Sequence, residues 1–171
     1  MNAYVKLAKA ATEYFIRQRQ VLPLKGALSP ELARQRACYV YLYANPGHRL
    51  RTMYGEPFPR QTCLGQEIIN HTVSALTRVT LPDIRRSDLP SIVYTVAVLE
   101  PLQRISDAAQ LQPDHSGLYL RSDQGKSAII LPRRAGVDTA QDQIATAMRE
   151  SGVNLHQDTI TMYRFGVTYY E

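Results

Sequence analysis

The chain has 171 residues, of which 44% are hydrophobic and 20% charged, with two cysteines and a formal charge of +5. That length supports one sizeable core, the hydrophobic content excludes a disordered chain, and no apolar run approaches the roughly 18 residues a membrane helix needs. Cys38 and Cys63 form neither a disulfide framework nor a metal-ligand spacing.

From Met1 to Phe15 polar and apolar residues are interspersed, with no continuous apolar signal region, so the expected compartment is cytoplasmic. Basic doublets such as Arg17/Arg19, Arg49/Arg51, Arg85/Arg86 and Arg133/Arg134 are spread over the chain and not packed into a tract. They read first as solvated faces that keep the protein soluble, although a basic surface also suits phosphates or acidic partners.

Tyr4, Leu7, Ala8, Ala11 and Phe15 recur at helical spacing behind Asn2, a possible cap, and Pro23 is expected to close that element. Ser29-Pro30-Glu31 reads as a cap followed by proline at the first helical position, opening a short helix through Arg36. From Cys38 to Tyr43 the pattern alternates, with Cys38, Val40 and Leu42 on one face and Tyr39, Tyr41 and Tyr43 on the other. Asn45-Pro46-Gly47 turns the chain, and Arg49 to Tyr54 returns as the partner strand. Ile68, Ile69, Val73 and Leu76 define an amphipathic helix, and Ile92 to Leu99 a near-continuous apolar strand.

Gly117 to Arg121 and Ala128 to Leu131 form a hairpin around Ser122-Asp123-Gln124-Gly125, and Pro132 ends the second strand. Thr139 and Asp142 have capping-box spacing, with aspartate in place of glutamate. Ala140, Ile144, Ala147 and Met148 then share a helical face, and Gly152 stops the helix. Tyr163, Phe165, Val167 and Tyr169 alternate as in a half-buried strand. Val40, Leu42, Val96, Val98, Ile144 and Met148 are expected in one connected core.

Ile130-Leu131-Pro132, Gly136-Val137-Asp138-Thr139, Gln143 and Tyr163-Arg164-Phe165 follow one another in the order and spacing of L-L-L-P-x-x-x-G-V-D-T-x-x-x-Q, a helix, and L-Y-R-F-x-V. In this the chain resembles the AMMECR-type domain family, the system protein A of the AmmeMemoRadiSam gene set. Tyr4 to Ala8 resembles the family's opening helix, so the likeness runs over nearly the whole chain as a single domain, residues 1–171. It implies an α+β fold, a mostly antiparallel sheet covered by helices, with two unequal lobes in one compact domain.

The chain departs from the family at a polar motif. Family members end a hairpin strand in L-R-G-C-I-G, eight residues ahead of a helix opening L-x-x-E-I-I. Leu64-Gly65-Gln66-Glu67-Ile68-Ile69 matches that helix, and the same spacing lands the motif on Leu50-Arg51-Thr52-Met53-Tyr54-Gly55. Leu50, Arg51 and Gly55 agree, whereas the family glycine is Thr52 and the family cysteine is Met53. A second family motif, D-P-R-F, falls on Arg78-Val79-Thr80-Leu81 and keeps none of its residues. A methionine thioether cannot form the thiolate that nucleophilic or ligand chemistry requires, so Met53 reads as apolar filler or at most a soft ligand.

Cys63, just ahead of the Gly65 helix, is the candidate thiol, set against an ordinary small residue at a loop-to-helix junction. His71 lies one turn after Glu67, and the two read as a polar surface pair before a site. Cys38 reads as core. No H-E-x-x-H, G-x-S-x-G or phosphate-loop pattern occurs, and neither a metal nor a cofactor is expected. The ligand-binding candidates are Arg51, Met53, Gly55, Glu67 and His71. Arg51 shares a predicted strand face with Arg49 and Met53, flanked by Tyr39, Tyr41 and Tyr43, and its guanidinium suits carboxylate or phosphate; the alternative is a structural ion pair with Glu67. A concave surface is expected between Arg51, the Glu67 helix and the loop from Arg78 to Ile84.

The first functional reading is a non-catalytic recognition or accessory module binding a partner protein or small acidic ligand near Arg51. The resemblance implies a Memo-like protein or a radical SAM enzyme as partner. The second is an enzyme of unknown reaction using Cys63 or an unrecognised polar cluster. The third is a basic nucleic-acid-binding domain.

Overall fold

The computed structural model describes residues 2–78 and 84–171. The chain divides into two compact units, the first formed by Met1–Val98 with Thr168–Glu171 and the second by Leu99–Val167. Five strand pairings among the described residues are antiparallel, and helices pack on the sheets, an α+β fold.

In the first unit, helix α1 (Ala3–Gln18) starts where the Asn2 side chain accepts the Val5 N–H at 3.0 Å. It ends at Arg19, whose φ of 57° closes the helix with an N–H bond to the Phe15 carbonyl. The stop therefore comes before Pro23. Helix α2 (Pro30–Ala33) is shorter than expected, and Ser29 supplies its carbonyl, not its hydroxyl, to the first turn. Strands β1 (Cys38–Ala44) and β2 (Arg49–Gly55) form the hairpin, and β1 pairs on its other side with β3 (Ile92–Leu99). Helix α3 (Leu64–Thr77) lies against β1, β2 and α1. Val5, Ala8, Cys38, Val40, Leu42, Leu64, Ile68, Val96 and Val98 make one buried cluster, each fully buried Leu or Ile contributing about 1.5–3 kcal/mol.

The second unit contains β4 (Gln103–Ile105), β5 (Ser116–Ser122), β6 (Ser127–Ile130), α4 (Ala140–Ser151) and most of β7 (Ile160–Tyr170). Its sheet runs β4-β7-β5-β6, with α4 packed on β5 and β6. The Thr139–Asp142 capping box forms in both directions, and Gly152 adopts the left-handed conformation that ends α4. Leu118, Leu120, Ile130, Val137 and Ala147 form its buried cluster, with Ile144 and Met148 half-buried at the margin. The expectation of one core linking those two residues to Val40 is thus corrected: each unit closes its own cluster. In β7 the predicted alternation is likewise incomplete. Phe165 is buried, but Ile160 and Met162 on the opposite phase also pack inward, because α4 covers the face they reach. The Phe165 ring lies over Gly117, where an added Cβ would sit 2.2 Å from Cζ.

Among the described residues no helix is long and apolar enough to cross a membrane.

Candidate functional site

The predicted site residues gather around the N-terminal half of α3 and strand β2, but not in the expected arrangement. Glu67 and His71 are inside, at 0% and 4% exposure. One turn apart on α3, their side chains meet at 3.0 Å between Oε1 and Nε2. The surface-pair reading is therefore corrected, since the helix face carrying them turns onto β1 and the segment following β2. The Glu67 carboxylate also accepts the backbone N–H of Arg60 through both oxygens, at 3.2 and 3.0 Å, and that of Gln61 at 2.7 Å. On the far side of the ring, Nδ1 lies 2.9 Å from the Cys38 carbonyl oxygen and 3.6 Å from the Cys38 thiol. A carbonyl only accepts, so the ring hydrogen in this contact is on Nδ1.

Cysteine, histidine and carboxylate in this order have the connectivity of a nucleophilic triad. Their setting closes it. Cys38 is fully buried, burial and the nearby Glu67 push its thiol well up from the ordinary value, and the imidazole proton goes to the carbonyl. Burial also holds the His71 pKa below its ordinary value, against the opposing pull of Glu67 and the Cys38 carbonyl. Tyr54 packs edge-on to the ring with centroids 5.3 Å apart. The Tyr54 hydroxyl donates to Glu56 at 3.0 Å and accepts from the Arg78 guanidinium at 2.9 Å. Arg60 pairs with Glu56 and holds that carboxyl below its usual range. Two of the arginines around this centre are thus committed.

Arg51 is not. Among the described residues its guanidinium makes no hydrogen bond or ion pair, so the alternative of an Arg51–Glu67 bridge is not what forms. The reason lies in the backbone. Pairing runs Leu42 with Thr52 and then Tyr43 with Leu50, leaving Arg51 as the extra residue of a β-bulge. The bulge shifts the phase of β2, so Arg49 no longer shares a face with Met53, and that expectation is corrected. Met53 pairs with Tyr41 and Gly55 with Tyr39, which puts Met53 on the tyrosine face. Met53 is half-buried beside rings that stack along β1, Tyr41 on Tyr43 at 6.1 Å and Tyr43 on His48 at 4.2 Å. Thr52 takes the other face and donates to the Ala75 carbonyl at 2.6 Å, tying β2 to α3. Of the loop expected to complete a concave surface, residues 79–83 lie outside the described residues, as does most of the segment aligned with D-P-R-F.

Cys63 is half-buried at the N-cap of α3, where its side chain makes no cap bond. Its carbonyl, accepting the Glu67 N–H at 3.1 Å, supplies the local connection. Cys63→Ala is expected to leave stability within about 0.5 kcal/mol of wild type, checked by urea denaturation. Selective alkylation of Cys63 at neutral pH that abolished a binding activity of the protein would contradict this. Among the described residues no group of three or more His, Cys, Asp or Glu is placed to hold a metal ion.

Sequence reasoning missed the backbone amides of Arg60 and Gln61 as the partners of Glu67. Main-chain donors leave no trace in side-chain identity, and the available signal was a carboxylate one turn after Leu64 and directly before Ile68 and Ile69, all of them buried.

Two antiparallel sheet units with helices packed on them, and a sealed carboxylate–imidazole pair, define a class of fold and not an activity. The chain belongs to the AMMECR1 family, whose model matches residues 5–170, which bears out the resemblance carried by the G-V-D-T and Y-R-F segments. It is 29% identical over 172 residues to a protein of Thermotoga maritima, across 99% of this chain and 98% of that one. It is 31% identical over 135 residues to a Methanosarcina barkeri protein, across 76% and 62% of the two chains. A Clostridium acetobutylicum protein is 25% identical over 98% of this chain but only 35% of its own length. In fold the chain is similar to the crystal structure of an uncharacterized protein from Pyrococcus horikoshii, with a TM-score of 0.83 at 20% identity over 97% of this chain and 88% of that one.

Proposed function

We propose that the protein is a non-catalytic recognition module, acting as one domain over residues 1–171, that engages an acidic segment of a partner protein or a small acidic ligand through Arg51. The observation that carries this reading is a half-buried arginine, set on a β-bulge, whose guanidinium is left without a partner among the described residues while Arg60 and Arg78, around Tyr54, are engaged. Bulges re-aim side chains and recur beside functional sites. A guanidinium fork that is unengaged on a half-buried residue is suited to a carboxylate. The sealed Glu67–His71 pair supports a positioning role: it anchors residues 60 and 61 to α3 and so shapes the surface next to β2. The Clostridium acetobutylicum relative, in which the matched region is 35% of the chain, fits a module that works joined to other protein. A Memo-like protein and a radical SAM enzyme are the proposed partners, on the family resemblance.

Arg51→Ala is expected to weaken binding to such a partner by about 1–3 kcal/mol, the loss of a charged hydrogen bond, with the thermal transition unchanged. Calorimetric titration of wild type and variant against each candidate partner reads both. Equal affinities would remove Arg51 from the site.

A further inference from the structure

The outward face of the second unit's sheet holds a cavity that the reading above does not use. Antiparallel register sets Ser127 of β6, Arg121 of β5 and Thr161 of β7 side by side, and one repeat along it sets Ile129, Tyr119 and Tyr163 in a second row. Leu118, Leu120 and Ile130 on the alternate phase are buried in the core beneath α4, so both rows point away from the helix. The Tyr119 and Tyr163 rings stand 6.0 Å apart, with the Arg121 guanidinium 5.9 Å from the Tyr163 centroid. A cavity of about 500 Å³ opens over Tyr119, Arg121, Ser127 and Thr161, within the usual range for small-ligand sites.

The rim is held in place by its own bonds. Asp123 and Thr159 exchange two hydrogen bonds of 3.0 Å, one through the Asp123 carboxylate, and the Ser122 hydroxyl accepts the Gln124 and Lys126 N–H groups at 3.2 Å. No hydrogen bond or ion pair among the described residues engages the Arg121 guanidinium or the hydroxyls of Ser127 and Thr161. A row of donors therefore faces the cavity unused, next to a row of rings. The rows are separated by one strand repeat, about 7 Å, which suits a flat ring joined to an anion through a short linker.

We propose that this face binds a nucleoside monophosphate, with its base against Tyr119 and its phosphate on Arg121 between Ser127 and Thr161. Aromatic side chains on the central strands of an antiparallel sheet stack bases well, and the guanidinium fork matches phosphate oxygens. Acidic and basic side chains of residues 99–167 nearly cancel, so the unit lacks the cationic track that a polynucleotide backbone requires. Asp123 at the rim disfavours a bare polyanion and offers a carboxylate to a sugar hydroxyl.

The test is an amide chemical-shift titration of the full chain with adenosine monophosphate, adenosine and inorganic phosphate in separate arms. Saturable shifts confined to residues 119–127 and 159–163 are expected with the nucleotide, with adenosine and phosphate each weaker by at least about tenfold. Arg121→Ala should weaken nucleotide binding by a similar factor, and Ser127→Leu, at an exposed position that tolerates the change, should do so by filling the donor row. The proposal is overturned by the absence of saturable shifts at millimolar nucleotide, by shifts centred elsewhere, by phosphate binding as tightly as the nucleotide, or by a well-folded Arg121→Ala that binds like wild type.

Discussion

Glu67→Ala is expected to destabilise the protein by about 2–5 kcal/mol, since each buried donor left unsatisfied costs about 1–3 kcal/mol. The variant strands two donors, the backbone amides of Arg60 and Gln61, and takes away the group that faces His71 Nε2. Glu67→Gln keeps an acceptor of similar shape and should recover part of the loss. Urea denaturation followed by circular dichroism measures both, and a loss under about 1 kcal/mol for the alanine variant would mean that water replaces the carboxylate. The same centre gives the protein a pH dependence. Around His71 stand Glu67 and Glu56, the Cys38 carbonyl and Tyr54, and burial, the largest influence, lowers its pKa from the ordinary 6.5. As pH falls below 6.5 the unfolded chain therefore takes up this proton before the folded one does, and stability declines with falling pH. His71→Gln should flatten the decline between neutrality and the carboxylate range, below which Glu56, Glu150 and Asp158, whose pKa values are all lowered in the folded state, add their own losses.

Gly55→Ala is expected to destabilise by about 1–3 kcal/mol, as an overpacked core position does. Gly55 was a ligand-binding candidate on the strength of the family motif, but the structure gives it a packing duty. An added Cβ would lie 2.2 Å from Cγ of the Tyr39 ring and 2.6 Å from the Cys38 carbonyl oxygen. The second contact matters because that carbonyl is the acceptor for His71 Nδ1. Relieving only the ring, in a Gly55→Ala, Tyr39→Leu double variant, should restore less than the full loss, since the backbone contact persists. Stability of the single variant within about 0.5 kcal/mol of wild type would show that β2 shifts freely at this point.

Local rules made much of the fold legible. The caps at Asn2 and Thr139, the stop at Gly152 and the alternation through Cys38–Tyr43 are short-range contests between a backbone and its own side chains, settled by residues within a few positions of one another. The family blocks around Gly136 and Tyr163 carried the lineage for the same reason, as fixed spacings along one chain. Less of the candidate site could be read. That Arg51 falls between the pairings of Leu42 and Tyr43 depends on where a two-strand register slips, and no residue of β2 announces a bulge.

The sequence by itself therefore determined the elements, through periodicity, and the family, through motif spacing, and the antiparallel α+β class as what that resemblance implies. Only the tertiary structure decided that Glu67 and His71 lie inside, that Arg51 is left unpaired, and that Tyr119, Arg121 and Thr161 share a face. Those outcomes depend on which helix face meets which strand and on pairing between segments distant in sequence. Burial and register are properties of such contacts, and the identity of a single residue does not contain them.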